Sequence, residues 1–502
     1  MSLAARTRPL DGLLAGFASA VPPVNVTGLA LDSRRLRAGE AFVAVRGSRG
    51  HGLEHLTQAL SRGAGAVVWE PAHDVDAPQV DVPCVAVERL AWHVGEIAAR
   101  FYDEPAHRMF VAGVTGTDGK TSTTHLVAQA LERLGRPCAY LGTLGIGRLD
   151  RLEEATHTTP DPIALQGCLA DFADTGIDAC AMEVSSHALD QNRIGGIAFD
   201  AVVLTNLTRD HLDYHRTVEH YAAAKRRLFE VQDGRALILN RDDPHGAQWI
   251  GQMEAQGRRD SLCVYGLEGI RPASPRYVIG RDLTLHEDGL SLRVETQNGQ
   301  ASLRSRLLGR FNAYNLLAAT AVLIESGTSL ETAAAALAAC GTVPGRIEGF
   351  RSAGGGPLVV VDYAHTPKAL EQVLEALRAH VRGRLTCVFG CGGDRDAGKR
   401  PLMGSAAARL ADRVLVTDDN PRSETPSDIT DQILAGIDPA VRAQITVEHD
   451  RGRAIRTAVS QARAGDVVLV AGKGHETTQT YGREVRDFSD RAFVAGLLGA
   501  CA

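Results

Sequence analysis

The chain has 502 residues, 44% of them hydrophobic and 23% charged, with a formal net charge of -6. That length exceeds one ordinary core and predicts about two to four domains, three being the natural division. The acidic balance argues against generic nucleic-acid binding, which needs a clustered basic surface, and no apolar run approaches the roughly 18 residues of a membrane span. Nine cysteines are scattered without a CxxC pair, which predicts reduced, mostly buried thiols rather than a disulfide or zinc frame. Met1 to Leu14 lacks the basic, apolar and small-residue pattern of a secretion signal, so a cytoplasmic protein without membrane insertion is expected.

In chain order, residues 1–90 alternate short β-like runs (Val26 to Leu31, Ala41 to Val45, Ala66 to Glu70, Cys84 to Val87) with a helical stretch near Leu53 to Arg62, predicting a small α/β domain. A second domain is expected over 91–343: a strand entered at Met109, a Gly-rich turn and a helix, then strands at Ala179 to Val184, Ala201 to Asn206 and Ala236 to Asn240 with helices between them. That order predicts a mostly parallel sheet. After a helix at Glu331 to Cys340 and a boundary at Gly341 to Arg346, strands at Leu358 to Tyr363, Leu385 to Phe389, Val414 to Thr417 and Val467 to Val470 predict a doubly wound third domain over 344–502. In open α/β sheets ligands sit beyond the carboxyl ends of strands, which directs attention to the polar clusters there.

The loop after Phe110 to Val114 reads GTDGKT at 116–121. Gly116, Thr117, Asp118, Gly119, Lys120, Thr121 and Ser122 then form a phosphate cradle opening a helix. Glycines admit backbone amides to the phosphate oxygens, Lys120 neutralises the outer phosphates and the Thr121 hydroxyl can ligate magnesium. The first glycine of the longer GxxxxGK[ST] form is absent, Val114 standing there. A nucleoside triphosphate is expected, although the loop alone fits a kinase, a motor or a ligase equally. Lysine is scarce: five, at 120, 225, 368, 399 and 473, against forty-nine arginines. A position that keeps lysine therefore points to a need for a compact primary amine.

GVTGTDGKT at 113–121, TTPD at 158–161, MEVSSHAL at 182–189, TNLTRDHLDYH at 205–215 and YAAAKRRLF at 221–229 together resemble the Mur ligase family. So do GRFNAYN at 309–315, PGR at 344–346, DYAHTP at 362–367, GCGGDRDAGKRPLMG at 390–404, DDNPR at 418–422 and AGKGHE at 471–476, with LDSRR at 31–35 and GEAFVAVRG at 39–47 in the first domain. The resemblance implies an α/β protein of three domains: an N-terminal uridine-nucleotide domain, a central P-loop-type ATPase domain and a C-terminal Rossmann-like domain that binds an amino acid. It implies ATP and Mg2+ as cofactors, with UDP-N-acetylmuramoyl-L-alanyl-D-glutamate and meso-diaminopimelate as substrates in peptidoglycan synthesis. The D-glutamate carboxylate is phosphorylated and the acyl phosphate is attacked by the diaminopimelate amine. A monomer is expected.

By the same resemblance Lys120, Lys225 and His211 are catalytic, and Thr121, Glu183, His211 and Lys225, the last as a carbamate, hold metal. Arg346, Asp362 and His365 join the ATP set on domain closure. Leu31, Ser33, Ser48, Arg49, Gly50, His157, Thr158, Thr159, Ser185, Gln191 and Arg193 match positions for the UDP substrate. Arg395, Asp419, Asn420, Pro421, Arg422, Gly472 and Glu476 match the diaminopimelate set, and Arg422 is what favours diaminopimelate over lysine. Asp118 and His157 depart from the asparagines common at those positions, and the Arg49 to Gly52 loop lacks the Asp often found before Gly. The alternatives are a lysine-adding ligase of the same family and a P-loop ATPase switch whose third domain binds a protein partner.

Overall fold

The computed structural model describes residues 6–47, 50–155, 157–230, 235–352 and 355–499. The chain divides into two compact units. One comprises Met1–Gly266, Ile270–Val278 and Ala318–Ala336; the other comprises Leu267–Gly269, Ile279–Leu317 and Leu337–Ala502.

In the first unit a four-stranded parallel sheet runs Leu29–Ala30, Ala41–Ala44, Ala66–Trp69, Cys84–Ala86. The expected single run from Val26 to Leu31 is two short strands. Asn25–Val26 pairs antiparallel with Arg8–Pro9, whereas Leu29–Ala30 pairs parallel with Ala41 and Phe42. The chain changes partner at Thr27, whose amide donates to Gly39 O at 3.0 Å.

The larger sheet of this unit has the order Arg151–Glu153, Gly145–Arg148, Cys138–Gly142, Ala179–Glu183, Phe110–Thr115, Ala201–Leu204, Ala236–Asn240, Leu262–Leu267. From Cys138–Gly142 onward these neighbours are parallel. Phe110–Thr115 lies buried between Ala179–Glu183 and Ala201–Leu204. Its apolar run suits a strand covered on both faces. From that strand the chain winds one way to Cys138–Gly142 and later the other way to Ala201–Leu204, so the loop after Thr115 leaves at a topological switch point. Helices Pro162–Asp174 and Pro244–Ala255 each begin with proline after a capping aspartate, Asp161 and Asp243, whose carboxylates each accept two N–H bonds from the first turn of the helix. Such caps contribute about 1 kcal/mol each and fix where the chain turns back onto the sheet.

The second unit holds a sheet in the order Glu348–Phe350, Leu358–Asp362, Val467–Ala471, Leu385–Phe389, Arg413–Val416, Thr446–Val447, parallel except for its first strand. Apolar clusters cover both faces, one around Val360, Leu374, Phe389 and Met403 and the other around Val361, Val388, Ile455 and Val494. Helix Pro367–Arg378 buries Leu370, Val373, Leu374 and Leu377, the spacing of one helical stripe. Val467–Ala471, late in sequence, inserts between the two earliest parallel strands and brings the segments after Asp362, Phe389 and Ala471 to one edge. Among the described residues no helix is long and apolar enough to cross a membrane.

Candidate active site

The phosphate loop is folded against the strand beside it. Gly116 has φ 148°, and a Cβ there would overlap the Thr205 hydroxyl. Glycine is what allows this approach. Thr205 Oγ1 donates to Asp118 O at 2.6 Å, and Asn206 both donates to Asp118 O at 3.1 Å and accepts from Asp118 N at 3.0 Å. Asp118, the departure from asparagine, is thus fixed through its backbone. Gly119 precedes helix Lys120–Arg133, and Ser122 lies in its first turn. Lys120 Nζ donates to Gly116 O at 2.9 Å and Thr117 O at 2.8 Å, which holds an ammonium beside the loop at the positive end of the helix.

Thr121 Oγ1 donates to Glu183 Oε2 at 3.0 Å. Glu183 is fully buried at the end of its strand, with Oε1 accepting from the Tyr140 hydroxyl and, at 2.9 Å, from Thr143 N. A hydroxyl beside a carboxylate is an oxygen donor set of the kind magnesium takes. Lys225, from helix Val218–Glu230, is 1% exposed and donates to Gly116 O at 2.8 Å and Thr115 Oγ1 at 3.4 Å. Burial, with Lys120 adding repulsion, pushes its ammonium well below the usual lysine range. His211 has φ 51°, with its ring centroid 6.1 Å from Tyr221 and 5.0 Å from His187. The Tyr221 hydroxyl lies 3.2 Å from Thr117 Oγ1, which connects this aromatic cluster to the phosphate loop. Among the described residues no group of three or more His, Cys, Asp or Glu is arranged to hold a metal by itself.

The candidates for the UDP substrate form two groups. Thr159 Oγ1 donates to Glu183 O at 2.9 Å and accepts from Ser185 N at 3.2 Å. Arg193 donates to Thr159 O at 2.8 Å and to Gln191 Oε1 from both Nε, at 3.0 Å, and Nη2, at 2.7 Å. Thr158 lies 3.3 Å from Thr143, hydroxyl to hydroxyl, and His157 is exposed. In the smaller sheet's region Ser33 donates to Gln58 at 2.7 Å, Leu31 is half-buried and Gly50 is exposed; Ser48 and Arg49 lie outside the described residues.

The second unit gathers the remaining candidates. Asp362 accepts from Ile347 N at 2.8 Å and Ala364 N at 2.7 Å; burial raises its carboxyl while these bonds and nearby Arg346 and His365 oppose the rise. Arg346 Nε is buried without a hydrogen-bond partner. The backbone of His365 accepts from Lys399 Nζ at 2.8 Å. Asn420 Nδ2 donates to Asp419 at 3.1 Å and Glu476 at 2.9 Å, and fully buried Lys473 donates to Glu476 at 3.0 Å. A Cβ on Gly472, where φ is 118°, would lie 2.6 Å from Asp419 Oδ2. Pro421 is buried, and Arg422, at φ 54°, donates from Nη1 to Gly393 O at 2.7 Å. Arg395 is exposed and, with Asp419, Glu476 and Arg346, influences the Tyr363 hydroxyl, which burial pushes upward.

Three family models match the chain in turn: Mur ligase family, catalytic domain over 25–102; Mur ligase middle domain over 114–323; and Mur ligase, glutamate ligase domain over 345–474. The chain belongs to the Mur ligase family. Among its relatives, the UDP-N-acetylmuramoyl-L-alanyl-D-glutamate--2,6-diaminopimelate ligase of Alkalilimnicola ehrlichii is 51% identical, covering 94% of this chain and 95% of the relative. The protein of that name from Pseudomonas aeruginosa is 47% identical over 94% of this chain and 95% of the relative. A solved structure with the same name superposes with a TM-score of 0.79 at 35% identity, covering 98% of this chain and 99% of the other. The UDP-N-acetylmuramoylalanyl-D-glutamyl-2,6-diaminopimelate--D-alanyl-D-alanyl ligase of Acinetobacter baumannii, at 16% identity and TM-score 0.60 over 94% of this chain and 96% of the other, shares the fold.

Sequence reasoning passed over several residues that shape the sites of this Mur ligase. Tyr140 and Thr143 hold Glu183, Thr205 and Asn206 hold the phosphate loop, and the Tyr363 ring lies 4.7 Å from that of His365 and 5.1 Å from that of His475. Thr205 and Asn206 open TNLTRDH directly after a strand, a position that could have marked them. Lys473 was within reach of the lysine count.

Proposed function

We propose that this ligase joins meso-diaminopimelate to the D-glutamate side-chain carboxylate of UDP-N-acetylmuramoyl-L-alanyl-D-glutamate in peptidoglycan precursor synthesis. The observation that carries the amino-acid side of this reading is the convergence of Asp419, Asn420, Arg422, Gly472 and Glu476 beyond the ends of Arg413–Val416 and Val467–Ala471, two strands of one sheet. Two carboxylates can meet ammonium groups, and a guanidinium can meet a carboxylate with paired donors. A P-loop switch has no need of such a zwitterion-binding set. The names carried by relatives 45–51% identical over almost the whole chain support the same substrates.

The D-glutamate carboxylate attacks the γ-phosphorus of ATP, ADP departs, and the resulting acyl phosphate carries a good leaving group. The amine then attacks the carbonyl carbon, the C–O bond to phosphate breaks and an amine proton is released. Lys120 and Thr121 bind the triphosphate, Lys120 stabilising charge on its outer oxygens, with Gly116, Thr117, Asp118, Gly119 and Ser122 completing the cradle. Arg346, Asp362 and His365 complete the nucleotide set. Thr121 and Glu183 supply oxygen donors for Mg2+, joined by His211 and by Lys225 as a carbamate; magnesium bound there would neutralise phosphate charge. Thr158, Thr159, Ser185, Gln191 and Arg193 orient the muramoyl dipeptide, while Leu31, Ser33 and Gly50 take the uridine nucleotide. The corresponding domains are 1–90, 91–343 and 344–502. Each candidate comes from one chain, so the reading needs no second copy, and the charged, water-soluble substrates suit a cytoplasmic enzyme.

The test follows ADP release with diaminopimelate and with L-lysine, and identifies each product by mass. Losing one partner of a desolvated charge pair costs on the order of 2 to 5 kcal/mol, so Arg422→Ala should lose roughly 30- to several-thousand-fold in diaminopimelate efficiency. ATP and UDP-substrate affinities should change little. Equal use of lysine by the unaltered enzyme, or an intact preference in Arg422→Ala, would overturn the specificity and leave a lysine-adding ligase.

A further inference from the structure

Arg451 and Asp490 form an ion pair with 0% exposure on both side chains, and neither belongs to a motif used above. Arg451 opens helix Arg451–Ser460 and Asp490 opens helix Asp490–Leu498. Nε and Nη2 of Arg451 donate to the two carboxylate oxygens of Asp490 at 2.7 and 2.8 Å, a side-by-side fork. The guanidinium also donates from Nη1 to Asp418 O at 3.2 Å and from Nη2 to Ala471 O at 3.0 Å. Those carbonyls belong to the residues immediately before Asp419 and Gly472.

A buried ion pair is an expensive way to secure a fold, because apolar packing of similar volume does as well or better. The placement of this one suggests a more specific task. Gly472 passes so close to Asp419 that a slip between the two segments would change the relation of one to the other. A second tie lies alongside, Gln479 Nε2 donating to Asp418 O at 3.3 Å and Asp419 O at 2.9 Å. Burial raises the Asp419 carboxyl, and Arg451 leads the charges opposing that rise, ahead of Lys473.

We propose that the Arg451–Asp490 pair positions the amino-acid pocket, holding the segments that carry Asp419, Asn420, Gly472 and Glu476 at the spacing that receives diaminopimelate. The proposal rests on the assignment of those residues to the amino acid. Arg451 and Asp490 are positioning residues that act through the backbone of the pocket.

Arg451→Lys keeps the charge but replaces a fork by a single ammonium that cannot serve the carboxylate and both carbonyls together. Asp490→Asn keeps the shape and removes the counter-charge. Both are assayed in the full chain for kcat, for the KM of each substrate and for the thermal midpoint. Arg451→Lys should raise the diaminopimelate KM by about tenfold or more, with the ATP and UDP-substrate KM values and the kcat at saturating amino acid within about threefold of normal; Asp490→Asn should shift the same KM in the same direction, by less. An unchanged diaminopimelate KM in folded Arg451→Lys, an equal rise in all three KM values, or failure of both variants to fold would overturn the proposal and leave a scaffolding role. Arg422→Ala, measured in parallel, separates the two levels. If it leaves the diaminopimelate KM unchanged, the pocket assignment fails and takes the proposal with it; if it raises that KM while Arg451→Lys does not, positioning alone fails.

Discussion

At Lys225 a cation sits where a cation is disfavoured: the side chain is 1% exposed, beneath Gly116 and 4.6 Å from the centre of the Tyr221 ring. Desolvation favours the neutral amine, and only a neutral amine condenses with carbon dioxide to a carbamate. The neighbouring positions Arg226 and Arg227 carry guanidinium groups, which remain charged and cannot form that anion. Lys225→Arg is therefore expected to lose about 100-fold or more in kcat, the scale of removing one preorganised electrostatic group. Lys225→Ala should recover part of its activity with added short carboxylic acids. Normal turnover by the arginine variant would dispose of the carbamate. The same argument from burial gives His125, on the helix behind the phosphate loop, a different consequence. Its Nδ1 lies 2.8 Å from Gln129 Nε2, and burial pushes its imidazole down to about 4 from 6.5. The unfolded chain binds a proton between those values where the folded chain does not, so stability is complete above about pH 6.5 and falls as the pH drops toward 4. The loss amounts to about 3 to 4 kcal/mol at most. Unfolding curves for the unaltered chain and His125→Gln, compared across that window, should converge as the pH falls; parallel curves would refute the assignment.

At the scale of elements, the loop between Phe110–Thr115 and Lys120–Arg133 was legible because one short stretch contains an apolar strand, two glycines and a helix start. DDNPR and AGKGHE were legible through their resemblance to family motifs, and each lies at or just beyond the end of a mostly apolar strand. The hairpin Gly289–Thr296 with Gly299–Ser305 was not read from the sequence. The first strand alternates buried Leu290, Leu292 and Val294 with half-buried Ser291, Arg293 and Glu295 ahead of an Asn298-Gly299 turn, so a period-two signal was present and was passed over; the second strand, largely polar, carries a weaker one. Strand order, by contrast, is absent from sequence, so nothing announced that Cys138–Gly142 would lie beside Ala179–Glu183 and bring Tyr140 to Glu183. Arg451 and Asp490 read as ordinary charges at the starts of two helices, and only tertiary packing buries them together. Local chemistry was thus visible, whereas the contacts that hold it in place depend on pairings across tens of residues.

For the molecule as a whole, the phosphate loop belongs to one compact unit and the candidate amino-acid pocket to the other. A ligand that binds only one folded unit stabilises that unit, by about 2.7 kcal/mol at 100 times its dissociation constant. In calorimetry, diaminopimelate alone should raise the transition of the second unit and leave that of the first unchanged. A diaminopimelate shift confined to the nucleotide-binding unit would contradict the assignment. The scarcity of lysine has a separate, practical outcome. Lys225 and Lys473 are buried, Lys120 and Lys399 are half-buried and hydrogen-bonded, and Lys368 is exposed on helix Pro367–Arg378. Among the five lysines, an amine-reactive dye offered at low excess should therefore favour Lys368, as peptide mass mapping would reveal, giving the protein a preferred lysine for tethering or fluorescence without an engineered cysteine.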